Sequence, residues 1–191
     1  IKEISMPEKG VIWYCEVDSE EKAVGVLIVS ESAPEPLGTA VLIDYSKENA
    51  WEATTVDTEV CAIADLDHGA MYYYKSPGGW KVNQELYCNG EQIDSEVYGM
   101  RRIPESPSSI VYLKDYDEEK GEGTLMLYDG QESIEVAEDV YAYQLVGKKI
   151  AVLVDYSMKK NRGDLKLYTG GKELKKIDTD VNTLVDIETY Q

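Results

Sequence analysis

The sequence contains no phenylalanine, one histidine, three cysteines, and 19 Lys+Arg against 37 Asp+Glu in 191 residues. Each shortage closes off a class of function. His68 and the scattered Cys15, Cys61 and Cys88 show neither Cys-x-x-Cys nor His-x-x-x-His spacing, so they supply too few ligands for a zinc site. No metal and no cofactor are expected, and the three cysteines read as small buried apolar side chains. The shortage of cations leaves a formal net charge of −18 and a pI near 4.4. Such a body repels phosphate backbones and anionic lipid, which argues against nucleic-acid and membrane-surface partners. No apolar run approaches the ~18 to 20 residues that span a bilayer, and no basic-then-apolar leader opens the chain. Direct membrane insertion by this segment is therefore not expected. The chain begins at Ile1 rather than Met, as a mature or trimmed piece would.

What is present is a core and a rhythm. Apolar residues make up 43%, with 15 Tyr and 3 Trp in place of phenylalanine. A chain this long buries roughly 70% of its unfolded surface. Tyrosine pairs an apolar ring with a hydroxyl that stays wet, so Tyr-rich segments suit half-exposed strands. A first signature, apolar-x-apolar-Tyr-x-Gly, occurs as Leu125-Met-Leu-Tyr128-Asp-Gly130 and Leu165-Lys-Leu-Tyr168-Thr-Gly170, with a shorter version in Leu86-Tyr87-Cys-Asn-Gly90. Its tyrosines are 41 and 40 residues apart. A second signature closes an acidic pair on valine: Asp57-Thr-Glu-Val60, Asp94-Ser-Glu-Val97, Glu138-Asp-Val140 and Asp178-Thr-Asp-Val181. Those valines are 37, 43 and 41 apart, and two independent signatures with one period define a repeat.

Within one period the texture is β. Residues 97–103, 109–115, 124–129 and 133–137 form four short Val-, Ile-, Leu- and Tyr-rich runs, and 140–146, 149–156, 164–169 and 173–178 repeat the plan. Asn89-Gly90, Asp129-Gly130 and Gly170-Gly171 stand between runs where a tight hairpin demands positive φ. No capped helical periodicity extends over ten residues. Four antiparallel strands every ~40 residues is the blade of a β-propeller, which covers its apolar faces only by lying against another blade. The expected fold is an all-β, propeller-type array of four-stranded blades forming one domain over 1–191. Its repeats run 1–59, 60–96, 97–139 and 140–180, with a partial one at 181–191. An arc of a larger propeller is favoured over a closed small ring. The register of 1–59 stays open: Ala40-Val-Leu-Ile-Asp44-Tyr45 matches Ala151-Val-Leu-Val-Asp155-Tyr156, a second strand, whereas order along the unit makes it a third.

The stretches Val111-Tyr-Leu-Lys-Asp115-Tyr through Gly123-Thr-Leu-Met-Leu-Tyr-Asp-Gly130, and Val152-Leu-Val-Asp155-Tyr-Ser through Gly163-Asp-Leu-Lys-Leu-Tyr-Thr-Gly170, carry a resemblance. They resemble the Tyr-rich propeller repeats of Gram-positive anaerobic bacteria, loosely related to the TolB-like and low-density-lipoprotein-receptor-like propellers. The likeness covers about two thirds of the chain and brings no catalytic motif. It implies an extracytoplasmic or cell-surface location. The Gly-His…Trp-Asp signature of WD repeats is missing.

Candidate chemistry is thin. Asp115-Tyr-Asp117-Glu-Glu119-Lys-Gly121 has the alternating acids of a calcium loop, but Gly stands seventh rather than sixth, and the next unit reads Asp155-Tyr-Ser-Met-Lys-Lys-Asn-Arg-Gly163. A solvated hairpin is the better reading. The recurring acids Asp57, Glu59, Asp94, Glu96, Glu138, Asp139, Asp178 and Asp180 would attract a cation if they shared a channel; turn-fixing bonds to the backbone are favoured instead. His68, in Asp65-Leu-Asp67-His68-Gly69, has no nucleophile motif near it, so no catalytic residue is assigned. Trp13 and Trp51 are expected to pack between sheets. Trp80, in Ser76-Pro-Gly-Gly-Trp80, sits on a loop tip and is the one weak candidate for ligand contact. Residues 141–191 carry 9 Lys+Arg and 7 Asp+Glu, net +2, against 10 and 30, net −20, in the rest. Ordinary drift among solvated loops is the favoured reading of that asymmetry, with self-association through terminal blades or docking of acidic and basic faces as the alternative. The function these features point to is a non-enzymatic module contacting a protein, peptide or glycan. The alternatives are a carbohydrate-active enzyme with paired carboxylates, whose separation only the fold would set, and a spacer with no ligand.

Overall fold

The computed structural model describes residues 4–30, 37–47, 51–77, 81–104, 106, 108–170 and 174–184, and among these there is no helix. Thirteen strands follow one another: β1 (Val11–Asp18), β2 (Ala23–Val29), β3 (Gly38–Asp44), β4 (Glu52–Asp67), β5 (Ala70–Lys75), β6 (Gln84–Cys88), β7 (Glu91–Arg102), β8 (Ile110–Asp117), β9 (Glu122–Tyr128), β10 (Ser133–Val146), β11 (Lys149–Ser157), β12 (Arg162–Tyr168) and β13 (Lys175–Val181). Each is hydrogen-bonded to the next in chain order, and the pairings are antiparallel. The fold is the expected all-β, propeller-type array of four-stranded blades.

One feature differs from the expectation. The fourth strand of one repeat and the first of the next are not separated by a turn; they fuse into β4, β7 and β10, of 16, 12 and 14 residues. A positive-φ residue stands just before the periodic valine in each: Glu59 (φ 59°), Glu96 (φ 55°) and Asp139 (φ 50°), with Asp180 (φ 56°) in β13. The strand bends there and changes partner. Val60 thus opposes Gly38 of β3 on one side and Lys75 of β5 on the other, and Val140 opposes Gly123 and Val154. At three of the four bends an acid does the turn chemistry expected of it. The Thr58, Ser95 and Thr179 N–H groups donate to Asp57, Asp94 and Asp178 Oδ1 at 2.7, 2.8 and 2.8 Å.

The chain forms two compact units, Ile1–Ser95 and Glu96–Gln191, divided at one of these bends. In the first, Leu27, Val29 and Ala40 pack with Val60, Ile63, Leu66, Met71 and Tyr73, so the β1–β3 meander lies face to face on β4–β6. A Cβ on Gly25 would stand 2.9 Å from Met71 Cε; glycine lets the faces close. Val26, Ile28, Val41 and Ile43 point to the other face, where Ile4 and Met6 pack on them. Burial on both faces is why β2 reads as an unbroken apolar run. Ala40 to Asp44 lie in β3, so the match to Ala151–Asp155 of β11 joins a third strand to a second.

In the second unit, Val111, Leu113 and Leu125 of one meander meet Val140, Ile150, Val152, Val154 and Tyr168 of the next. Burying each such valine or leucine contributes about 1.5–3 kcal/mol. Face-to-face packing of repeats is thus the source of stability within each unit.

Two expectations about core residues need correction. Cys61 is buried, but Cys15 is exposed and Cys88 half-buried. Cys15 opposes Val26 on β1, which begins the sheet order, so no preceding strand pairs with it among the described residues. Trp13 and Trp51 do not fill the space between sheets. Trp13 is 61% exposed on the same terminal strand, and Trp51 is 41% exposed with its ring tilted 50° against Tyr45.

Candidate binding site

Within the second unit the repeats place four tyrosines in a row. Tyr98 of β7 stacks on Tyr116 of β8, with centroids 4.1 Å apart and planes 13° from parallel. Tyr141 of β10 stacks on Tyr156 of β11 at 3.9 Å and 4°. The pairs meet at Gly121, where a Cβ would lie 3.6 Å from Tyr141 Cε2 and 3.8 Å from the Tyr116 hydroxyl.

Backbone irregularities aim these rings. The β8–β9 ladder slips between Lys114 and Asp117, and the β11–β12 ladder between Val154 and Ser157, around Asp115 (φ 52°) and Asp155 (φ 54°). Each slip turns the following tyrosine toward the row. The strand opposite must come close to close the gap, so it carries glycine. A Cβ on Gly123 would be 2.9 Å from Lys114 O, and one on Gly163 2.7 Å from Val154 O. Across the row, the β7–β8 register shifts between Tyr98 and Met100, and the β10–β11 register between Val140 and Ala142, leaving Tyr141 as the extra residue.

Tyr98 is 41% exposed, while Tyr116, Tyr141 and Tyr156 are half-buried. The Tyr156 hydroxyl donates to Asn182 O at 3.0 Å. Burial, and then the neighbouring Tyr98, Glu118 and Tyr141, hold the Tyr116 phenol above its ordinary pKa, so it stays neutral well into the alkaline range. Behind the row, Tyr143 is pushed up to about 12 by burial, with Arg101 opposing the shift. The row offers ring edges and neutral hydroxyls on a rigid two-sheet support.

The rim of the row changes sign. On the Tyr98/Tyr116 side, the β8–β9 hairpin exposes Glu118 and Glu119, and its turn is set by Asp117 Oδ1, which accepts from the Glu119 and Lys120 N–H groups at 2.9 and 3.2 Å. Lys120 sits 3.8 Å from Asp117 and 3.7 Å from Glu122. Of the acids in this loop, Asp117 fixes a hydrogen-bonded turn, while Glu118 and Glu119 are exposed. On the Tyr141/Tyr156 side, the β11–β12 hairpin exposes Met158, Lys159 and Lys160.

The other residues singled out in the sequence lie elsewhere. Trp80 falls outside the described residues. Asp57 accepts the Tyr73 hydroxyl and the Lys75 ammonium, both at 2.7 Å, in the first unit. His68 occupies the β4–β5 turn with φ 49°, its Nδ1 2.8 Å from Asp67 and its Nε2 3.3 Å from Glu20; carboxylates flank it on both sides. Among the described residues no three His, Cys, Asp or Glu converge as a metal site. The tyrosine row itself escaped the sequence reading. Its signal was there as Val-Tyr at 97–98 and 140–141, and Asp-Tyr at 115–116 and 155–156.

No protein-family model matches the chain, and no curated protein matches it. Among solved structures, the N-terminal domain of Nup159 is similar at 12% identity over 95% of this chain and 46% of that one, with a TM-score of 0.48. A likeness at that level says nothing about what this chain does.

Proposed function

We propose that this chain is a non-enzymatic interaction module that contacts a protein or peptide through the Tyr98/Tyr116/Tyr141/Tyr156 row. The single observation behind the reading is that row: four aromatic side chains stacked in two pairs beside backbone bulges, on exposed or half-buried positions. Tyrosine is favoured at contact surfaces because it gives large apolar area and a hydrogen bond at low entropic cost. Because the rings are stacked on one another, each has one face already covered. A sugar thus has only half the ring surface to stack on, whereas a peptide also docks between aromatic edges, so protein or peptide is preferred to glycan. The resemblance to surface-exposed Tyr-rich bacterial repeats supports an extracytoplasmic setting for such contacts.

The test is a binding screen on immobilised protein against peptide and glycan arrays, with Tyr98→Ser as the control variant. Tyr98 is the most exposed ring, so the substitution spares the core. Peptides retained by the wild type and lost by Tyr98→Ser support the proposal; glycans retained and lost in the same way overturn the preference for peptide. Substrate turnover abolished by changing one carboxylate would replace it with an enzyme.

A further inference from the structure

We infer that the row recognises an extended peptide carrying a basic residue and an acidic residue about three positions apart. This rests on the tyrosine row being a contact surface, and adds the chemistry of what it contacts.

The argument is one of charge and spacing. Tyr98 and Tyr116 belong to the first meander of the unit, Tyr141 and Tyr156 to the second, and the two meanders pack face to face. Packed sheets stand about 10 Å apart, and an extended chain advances about 3.3 Å per residue, so a peptide crossing from one pair to the other uses about three residues. A polyproline helix, at about 3.1 Å per residue, gives the same count. The two ends of that path carry opposite charge. Glu118 and Glu119 are exposed beside the first pair, close enough for Glu118 to act on the Tyr116 phenol. Lys159 and Lys160 are exposed on the equivalent hairpin beside the second. These hairpins occupy the same place in successive repeats, so the reversal of sign is a difference in side chains alone. A uniformly cationic ligand is repelled at one end and a uniformly anionic one at the other. Only a ligand of both signs is attracted along the whole row. The middle of the path crosses ring edges and phenol hydroxyls, which suits proline or another residue without bulk charge.

The experiment is fluorescence anisotropy with fluorescein-labelled nonapeptides on a proline-rich scaffold. Their central residues read Lys-Pro-Pro-Glu, Glu-Pro-Pro-Lys, Lys-Pro-Pro-Lys, Glu-Pro-Pro-Glu or four prolines, at low and near-physiological salt. One of the two mixed-charge peptides is expected to bind at least about fivefold tighter than every other member, with the advantage shrinking as salt rises. The double variant Lys159→Glu with Lys160→Glu should move the preference to the Lys-Pro-Pro-Lys peptide, and Glu118→Lys with Glu119→Lys to the Glu-Pro-Pro-Glu peptide. All four positions are exposed hairpin tips, and circular dichroism checks that the fold is kept.

Equal binding of all five peptides, lost in Tyr98→Ser, overturns the charge inference and leaves the contact surface standing. Binding of a glycan but no peptide, again lost in Tyr98→Ser, overturns the charge inference and replaces the protein or peptide reading of the row with a glycan-binding one. Binding that is indifferent to Tyr98→Ser overturns both.

Discussion

Tyr141 and Tyr156 lie 3.9 Å apart with their planes 4° from parallel, although fourteen residues and a hairpin separate them in the chain. The pair ties the first strand of a repeat to the bulge at the end of its second. Offset aromatic pairs contribute about 0.5–1.5 kcal/mol beyond area burial. A double-mutant cycle of Tyr141→Ala and Tyr156→Ala should therefore give a coupling energy of about 1 kcal/mol in urea unfolding. Additive single effects would show that the rings are neighbours without being partners.

The glycines opposite the bulges should matter more than those in open turns. Gly163→Ala places a Cβ 2.7 Å from Val154 O and 3.1 Å from Tyr156 Cδ2, so the β11–β12 ladder must open and the tyrosine must shift. A cost of about 1–3 kcal/mol is expected, with a change in the near-ultraviolet tyrosine circular dichroism. Gly147→Ala meets nothing within 4 Å and pays only for its φ of 57°, about 1–2 kcal/mol, so its spectrum should stay as in the wild type. Identical spectra in both variants would refute the role given to Gly163.

How far the sequence reveals this depends on which residue does the bending. Turns built on Asn89-Gly90 announce themselves, because few residues adopt φ of 47° and 92° cheaply. The bends at Glu59 and Glu96 do not, since glutamate is an unusual choice for positive φ, and so β4 and β7 read as pairs of strands with a break rather than as continuous ones. The register of β3 was undecidable for a related reason: a strand buried on both faces looks the same wherever it sits in a blade. The tyrosine row was hidden because its members come from four strands, and only the fold brings Tyr98 to Tyr116. Trp13 misled because a large aromatic is ordinarily core, whereas here it lies on the terminal strand.

Asp57 joins the bend in β4 to β5 through two side chains. Burial by itself would raise its pKa, but bonds from Lys75, Tyr73 and the Thr58 N–H outweigh that and hold the carboxyl below its ordinary range. Hydrogen bonds to a charged group are worth about 1.5–3 kcal/mol each. Asp57→Ala should cost about 3 kcal/mol, because it leaves the fully buried Tyr73 hydroxyl and the largely buried Lys75 ammonium without this acceptor. Asp57→Asn keeps an oxygen acceptor and should cost less. Equal losses in chemical denaturation would mean that charge rather than geometry sets the interaction.

The clasp between the β1–β2 and β4–β5 turns makes stability depend on pH at both ends of the range. Asp18 is only 3% exposed; burial alone would raise its pKa, yet N–H donors from Glu21, Gly69 and Glu20, together with His68, bring it below the ordinary carboxylate value. Its contribution is present above the unfolded pKa of about 3.9 and is lost as pH falls through the lower folded value. His68 shifts the opposite way. Its hydrogen bond to Asp67 raises the pKa against the opposing effect of burial, and the charges of Asp67, Glu20 and Asp18 raise it further. The stabilisation from protonated His68 is complete below the unfolded pKa of about 6.5 and disappears as pH rises through the folded value. Urea midpoints measured across this range should therefore fall on both limbs. His68→Asn, which tolerates the φ of 49° at this turn, should flatten the decline above about pH 6.5 and keep most of the acid limb, which the three N–H donors to Asp18 carry. Asp18→Asn should do the reverse, at the expense of overall stability. An upper limb unchanged in His68→Asn would assign that decline to other groups and remove His68 from the clasp.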